Sequence, residues 1–389
     1  MGNLCFIFND VREEAHLFYT EAVIDRRTFL ALPALSLLAC SRRRTSPGFR
    51  GYAFVANEES KSIAAVDLEA MAVARHIPLD AAPISVITAL KRPFVYALSG
   101  GTGTVYEISL DRLNASNKAP IGSNAIGMKM AADESALYVL TRDPRALISV
   151  DAMTLKVGFK IALPAEPVEF ALAPDQTTAA VSFKNGVRLI DLPSRTVRNP
   201  AGMGDFGAVR FLADSSMLIA ADRGARRLSM YDVATSQLIA HLPLAVRPDY
   251  LCFNADGGQL FVTGDGADAV AVVFPYRTPE VAETLLVGHS PGPMAASNAY
   301  LFVASPTAGD VSILEIGSRK LVAVLSVGSD PGFIAVTPDD QYALVLNRQS
   351  GDVSVLRIAT ITKNRDRRAA LLTVIPVGSR PVSAAVRAV

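Results

Sequence analysis

Residues 331–378 read PGFIAVTPDDQYALVLNRQSGDVSVLRIATITKNRDRRAALLTVIPVG, and Arg380-Pro381 then opens the same pattern again. The pieces PGFIAVTPDD, QYALVLN, QSGDVSVLRI and LLTVIPVG are β-branched-rich runs bounded by Gly, Pro, Asp, Asn or Ser. Short runs of that composition between turn residues form strands. Four short strands therefore make one unit.

Aligned on the residue before its first strand, the unit recurs at Ala82, Asn124, Glu166, Asp205, Arg247, Ser290, Asp330 and Arg380, a mean spacing of about 43 residues. That period suits four-stranded propeller blades; leucine-rich solenoids and β-helices repeat over shorter intervals, and helical repeats would show a 3.6-residue period. Sheets packed face to face bury both strand faces, so clean alternation is lost. This explains how a chain that is 50% hydrophobic, with no Trp and 7% aromatics, can be a globular β protein. The run TKNRDRR at residues 362–368 accounts for the long last interval and reads as an exposed hairpin insertion.

The segments Phe54-Val55-Ala56-Asn57, Val311-Ser312-Ile313-Leu314, Ile375-Pro376-Val377-Gly378 and Ala335-Val336-Thr337-Pro338-Asp339 resemble the YVTN-type bacterial β-propeller repeat, over about residues 51–389. The resemblance implies that first strands line the axis. The chain enters the pattern at a second strand (residues 52–57) and leaves after a lone first strand (residues 381–386), so the last strand is expected to complete the sheet begun by residues 51–80. The expected fold class is all-β: a propeller of four-stranded antiparallel blades, the ring closed by the C-terminal strand joining the N-terminal blade. Seven internal units and one composite give eight blades. Seven is the alternative, if a degenerate copy at residues 91–133 or 176–214 is irregular.

Residues 28–39 (TFLALPALSLLA) form an uncharged, mostly apolar stretch, too short to span a ~30 Å hydrocarbon core but suited to a signal-peptide core. Arg26-Arg27 before it resembles a twin-arginine motif, and Leu37-Leu38-Ala39-Cys40 after it resembles a lipobox. Small Ala39 would let the peptidase close on the bond, and the Cys40 thiol would take the diacylglyceryl group. The expected organisation is an over-extended or unstructured leader (1–22), a signal peptide (23–39), a lipid-anchored tether (40–50) and one propeller domain (51–389). The expected location is the periplasm or outer membrane of a bacterium, with the membrane contacted through Cys40.

Thirty-eight Lys plus Arg against 37 Asp plus Glu leave a formal net charge of +1, so nothing points to nucleic acid. Three cysteines and four histidines supply no disulfide scaffold or soft metal set, and no metal or cofactor is expected. Cys252, in an apolar first strand, reads as an inert core thiol. Gly288-His289-Ser290-Pro291-Gly292 fits G-x-S-x-G, but the same loop recurs as Gly328-Ser329-Asp330-Pro331-Gly332, so it is the repeat's own turn. Asp133, Asp175, Asp214, Asp256 and Asp339 fall where the first strand turns into the second, as turn formers.

One constellation is left. The loops joining each blade's outer strand to the next inner strand would set Asn124, Glu166, Asp205, Arg247, His289, Asp330 and Arg380 around one mouth of the channel. Their mixed charges suit a small polar ligand or an envelope protein, and their oxygens could take calcium. A non-catalytic binding or scaffolding module is expected. The alternative is a propeller enzyme, a lactonase-like hydrolase or a quinone or d1-haem oxidoreductase scaffold, for which the sequence offers no catalytic residues.

Overall fold

The computed structural model describes residues 48–389 except 201, 277 and 364–369; Arg26, Arg27 and Cys40 lie outside the described residues. Within them, thirty-two strands form eight four-stranded antiparallel sheets, with one short helix, Ala359–Lys363. The sheets are the blades of an eight-bladed all-β propeller, and the degenerate copies form regular blades.

The composite blade is built as the register implies. Strands Gly51–Asn57, Ser62–Asp67 and Ala72–Pro78 are joined by Pro381–Ala388, with Ala53 opposite Val386 and Val55 opposite Ala384. Counting this as blade 1, the inner strands of blades 2 to 8 are Pro83–Thr88, Ser123–Met130, Pro167–Leu172, Phe206–Phe211, Tyr250–Phe253, Met294–Ala296 and Pro331–Val336. Each inner strand touches the next around the ring.

Eight hydrophobic clusters fill the eight interfaces between neighbouring blades. Strand Gly51–Asn57 shows why the sequence lost its alternation. Ala53 and Val55 pack toward blade 8 with Leu344, Leu346 and Val353, while Phe54 and Ala56 pack toward blade 2 with Val95 and Ala97. Both faces are core, and full burial of each Val, Leu or Phe is worth about 1.5–3 kcal/mol. Phe49 joins the cluster between blades 8 and 1, so packing starts two residues before the first strand.

Outer strands are different. Asn114–Pro120 and Ala72–Pro78 are mostly exposed, and the polar Asn114, Ser116, Asn117 and Lys118 of the one and Arg75 and His76 of the other blunt the open sheet edges. The insertion at residues 362–368 begins in the helix Ala359–Lys363, which buries Ile361; most of it lies outside the described residues.

The turn aspartates act as expected. Asp133, Asp175, Asp214, Asp256 and Asp339 each accept, through Oδ1, the backbone N–H two residues on, at 2.7 to 3.1 Å. The next residue adds a link between blades. The Glu134 carboxylate accepts the Leu90 and Lys91 N–H groups, Gln176 Oε1 accepts from Ala132 N, Asp175 N donates to Ser215 Oγ, and Asp340 accepts from Asn298 N. A belt of such bonds thus ties blades 2 to 5 in succession, and blade 7 to blade 8, at the mouth opposite the candidate rim.

Candidate functional site at the mouth of the propeller

The rim is made where the chain turns from an outer strand into the next inner strand. Asn124, Ser290, Asp330 and Arg380 take positive φ there (48°, 55°, 57° and 56°). Asn and Asp tolerate that conformation, whereas for Arg380 it costs about 1–2 kcal/mol. Backbone bonds hold the corner: Glu58 N donates to Arg380 O at 2.9 Å and Arg348 N to Asp330 O at 2.9 Å.

Every charged rim residue expected from the sequence has a partner of opposite sign. Asp205 meets Arg223 at 2.8 Å and Asp330 meets Arg348 at 2.6 Å. Arg247 lies 3.0 Å from Asp249 and 3.4 Å from Asp265, and Arg380 lies 2.7 Å from Glu58. Glu166 reaches back to Arg142 of blade 3 at 3.1 Å. His289 Nδ1 stands 3.0 Å from Asp268, a carboxyl held below its usual range first by the Ser290 N–H and then by His289. Asn124 donates its N–H to Gly101 O at 3.2 Å.

In blades 5, 6 and 8 the partner sits where the second strand has just ended, on Arg223, Asp265 and Arg348. Sequence reasoning missed these partners, although the residue eighteen positions after the rim residue is charged in all three copies. Arg223 and Arg348 lie along the inner strand. A Cβ on Gly207 would meet Arg223 Cδ at 3.0 Å, and one on Gly332 would meet Arg348 Nε at 2.2 Å. Neither Nε has a hydrogen-bond partner among the described residues.

Among the described residues, three of the clefts that open on this mouth are lined by rim residues. The largest, about 860 Å³, is lined by Asp330, Arg348, Arg380, Glu59, Ser350 and Ser379 among others, between blades 7, 8 and 1. A second, about 460 Å³, holds Asn124, Arg142, Arg145 and Glu166. A third, about 300 Å³, holds Asp265, Asp268 and His289. Asp205 and Arg247 line none of these three.

Among the described residues, no three His, Cys, Asp or Glu side chains are grouped to hold a metal ion. His76 is on the outer strand of blade 1, and His241 is on the outer strand of blade 5, 3.0 Å from Ser229 Oγ.

Fold and mouth together define a propeller with a charge-paired, solvent-open rim. Solved structures that share the fold include dihydro-heme d1 dehydrogenase NirN in complex with DHE, 13% identical over 87% of this chain and 76% of that one, with a TM-score of 0.70. Hydrazine synthase from Kuenenia stuttgartiensis is 17% identical over 71% of this chain and 96% of that one (TM-score 0.57). The Cps50 (Swd1) β-propeller domain of Myceliophteria thermophila is 16% identical over 70% and 95% (TM-score 0.58). At such identities the likeness is one of fold. No family model matches the chain, and no curated protein matches it.

Proposed function

We propose that this protein is a non-catalytic binding module of the bacterial cell envelope, a YVTN-type propeller tethered by an acyl group on Cys40, which takes a small zwitterionic ligand at its charged mouth. The observation that carries the reading is the 860 Å³ cleft, where Asp330, Arg348, Arg380 and Glu59 place both signs of charge within one open site. Its size is that of a small-molecule pocket. The pairs are only partly buried, with Arg348 and Asp330 side chains 34% and 36% exposed. Each such pair is worth about 0–1 kcal/mol, so a ligand carboxylate can exchange with Asp330 on Arg348 at small cost. Binding of this kind is salt-sensitive.

Histidines that are spread over three blades do not favour the enzymatic alternative, and binding needs only the rim. A thermal-shift screen of the purified protein against amino acids, other zwitterions, simple anions and calcium tests the reading, since a ligand of the native state raises Tm. A zwitterion is expected to raise Tm, with the effect reduced in Arg348→Met and in Arg380→Met. A ligand whose effect survives both substitutions overturns it.

A further inference from the structure

Counting five residues inward from each rim position gives one equivalent site on every inner strand. Six are Ile87, Ala171, Cys252, Ala295, Ala335 and Ala385; the other two are Lys129 and Arg210. Glu169 lies on the inner strand between them. Three charged side chains thus stand on three consecutive inner strands, well inside the mouth.

The charges do not cancel. Arg210 Nη1 lies 2.5 Å from Glu169 Oε1 and also donates to Val209 O at 2.7 Å. The one carboxylate is therefore occupied. The Lys129 ammonium sits 5.7 Å from the ring centroid of Phe170, and among the described residues it has neither an ion pair nor a hydrogen bond. Burial, and then the Arg210 charge, lower its pKa from the ordinary 10.5, with Glu169 pulling the other way. Arg210 and Glu169 are 35% and 38% exposed, so solvent reaches the group. The Arg210 Nε and Nη2 groups have no acceptor among the described residues.

A half-buried ammonium with no ion pair or hydrogen bond, beside a second cation, is costly, and an anion that accepts hydrogen bonds from both removes that cost. We propose that Lys129 and Arg210 form a binding site for a small oxyanion in the throat of the channel, with Glu169 acting as a built-in competitor for Arg210. The site is separate from the mouth and does not depend on the ligand proposed there.

Equilibrium dialysis of the purified protein with radiolabelled sulfate, at constant ionic strength set with sodium chloride, tests it. One saturable sulfate per chain is expected. Lys129→Met should weaken binding about tenfold or more, as expected for losing a charge-assisted bond. Glu169→Gln should tighten binding, because the carboxylate no longer competes; a merely structural role for Glu169 would not produce that gain. Arg348→Met, at the mouth, should leave sulfate affinity unchanged. The proposal is overturned by an absence of saturable binding, by affinity indifferent to Lys129→Met, by weaker binding in Glu169→Gln, or by loss of binding in Arg348→Met.

Discussion

The side chain of Arg348 lies across the backbone of Gly332 so closely that a Cβ there would stand 2.2 Å from Nε. The glycine leaves the room that lets Arg348 reach Asp330, two residues upstream of it, at 2.6 Å. Blade 5 repeats the device with Gly207, Arg223 and Asp205. A small residue on the inner strand thus fixes where a rim cation points.

Gly332→Ala should therefore act on binding more than on folding. Gly332 is not among the positive-φ residues, so its backbone accepts alanine, but Arg348 must move off the strand and off Asp330. Losing a partly exposed pair costs about 0–1 kcal/mol, so calorimetry should show a Tm lowered by only a few degrees. The ligand-induced shift at the mouth should nearly vanish. An unchanged ligand response would break the link between Gly332 and the rim.

The belt at the opposite mouth should be worth more. Glu134 is 7% exposed, and its carboxylate serves two backbone N–H groups of the preceding blade. Glu134→Ala gives both donors up to water, Leu90 being 69% exposed, so the loss is the net worth of two hydrogen bonds, about 0.5–1.5 kcal/mol each. Glu134→Gln keeps one acceptor and should restore part of the loss. Urea titration compares the two, and equal stability of wild type and the alanine variant contradicts the belt.

The fold was legible because the information is local and repeated: PGFIAV, YALVLN and DVSVLR show strands and turns in any copy. Closure was legible from the offset of the two ends. The rim was legible only by residue type. Arg142 meets Glu166 across two blades, and Asp330 meets Arg348 across a hairpin, contacts set by register and side-chain direction. Lys129, Glu169 and Arg210 were passed over, although a charge in an inner strand was itself a signal. A polar residue in an otherwise apolar run needs a partner or a ligand.

Stability should fall in acid in a defined window. Asp133, Asp151, Asp191, Asp214 and Asp232 are all held below the ordinary 3.8 by hydrogen bonds from Ser or Thr hydroxyls and nearby backbone N–H groups. Because the folded value is the lower one, this stabilisation is present above 3.8 and is lost as pH falls through the folded values. Urea midpoints should hold down to about pH 5 and then drop steadily. A midpoint that rises below that pH contradicts the assignment.

Cys252 should be a poor nucleophile. Burial pushes its thiol up to about 11, with Arg210 only partly opposing, and Sγ donates to Phe253 O at 3.4 Å. Near neutral pH the thiolate is scarce. Reagent uptake by folded wild type should match that of Cys252→Ser, and the two should differ by one thiol only on unfolding. A fast extra thiol in the folded wild type contradicts this.

Closure of the ring underlies everything said of the mouth, since the strand Pro381–Ala388 both completes blade 1 and brings Arg380 to Glu58. Removing residues 381–389 unpairs Gly51–Asn57 and opens the clusters shared with blades 2 and 8. The decisive measurement is the melting temperature of the chain ending at Arg380 against the full chain. Loss of cooperative folding, or a fall of about 5 °C or more in a single transition, is the result expected of a strand that closes the ring. A truncated chain that melts within a degree or two of the full one would show that the ring does not depend on it.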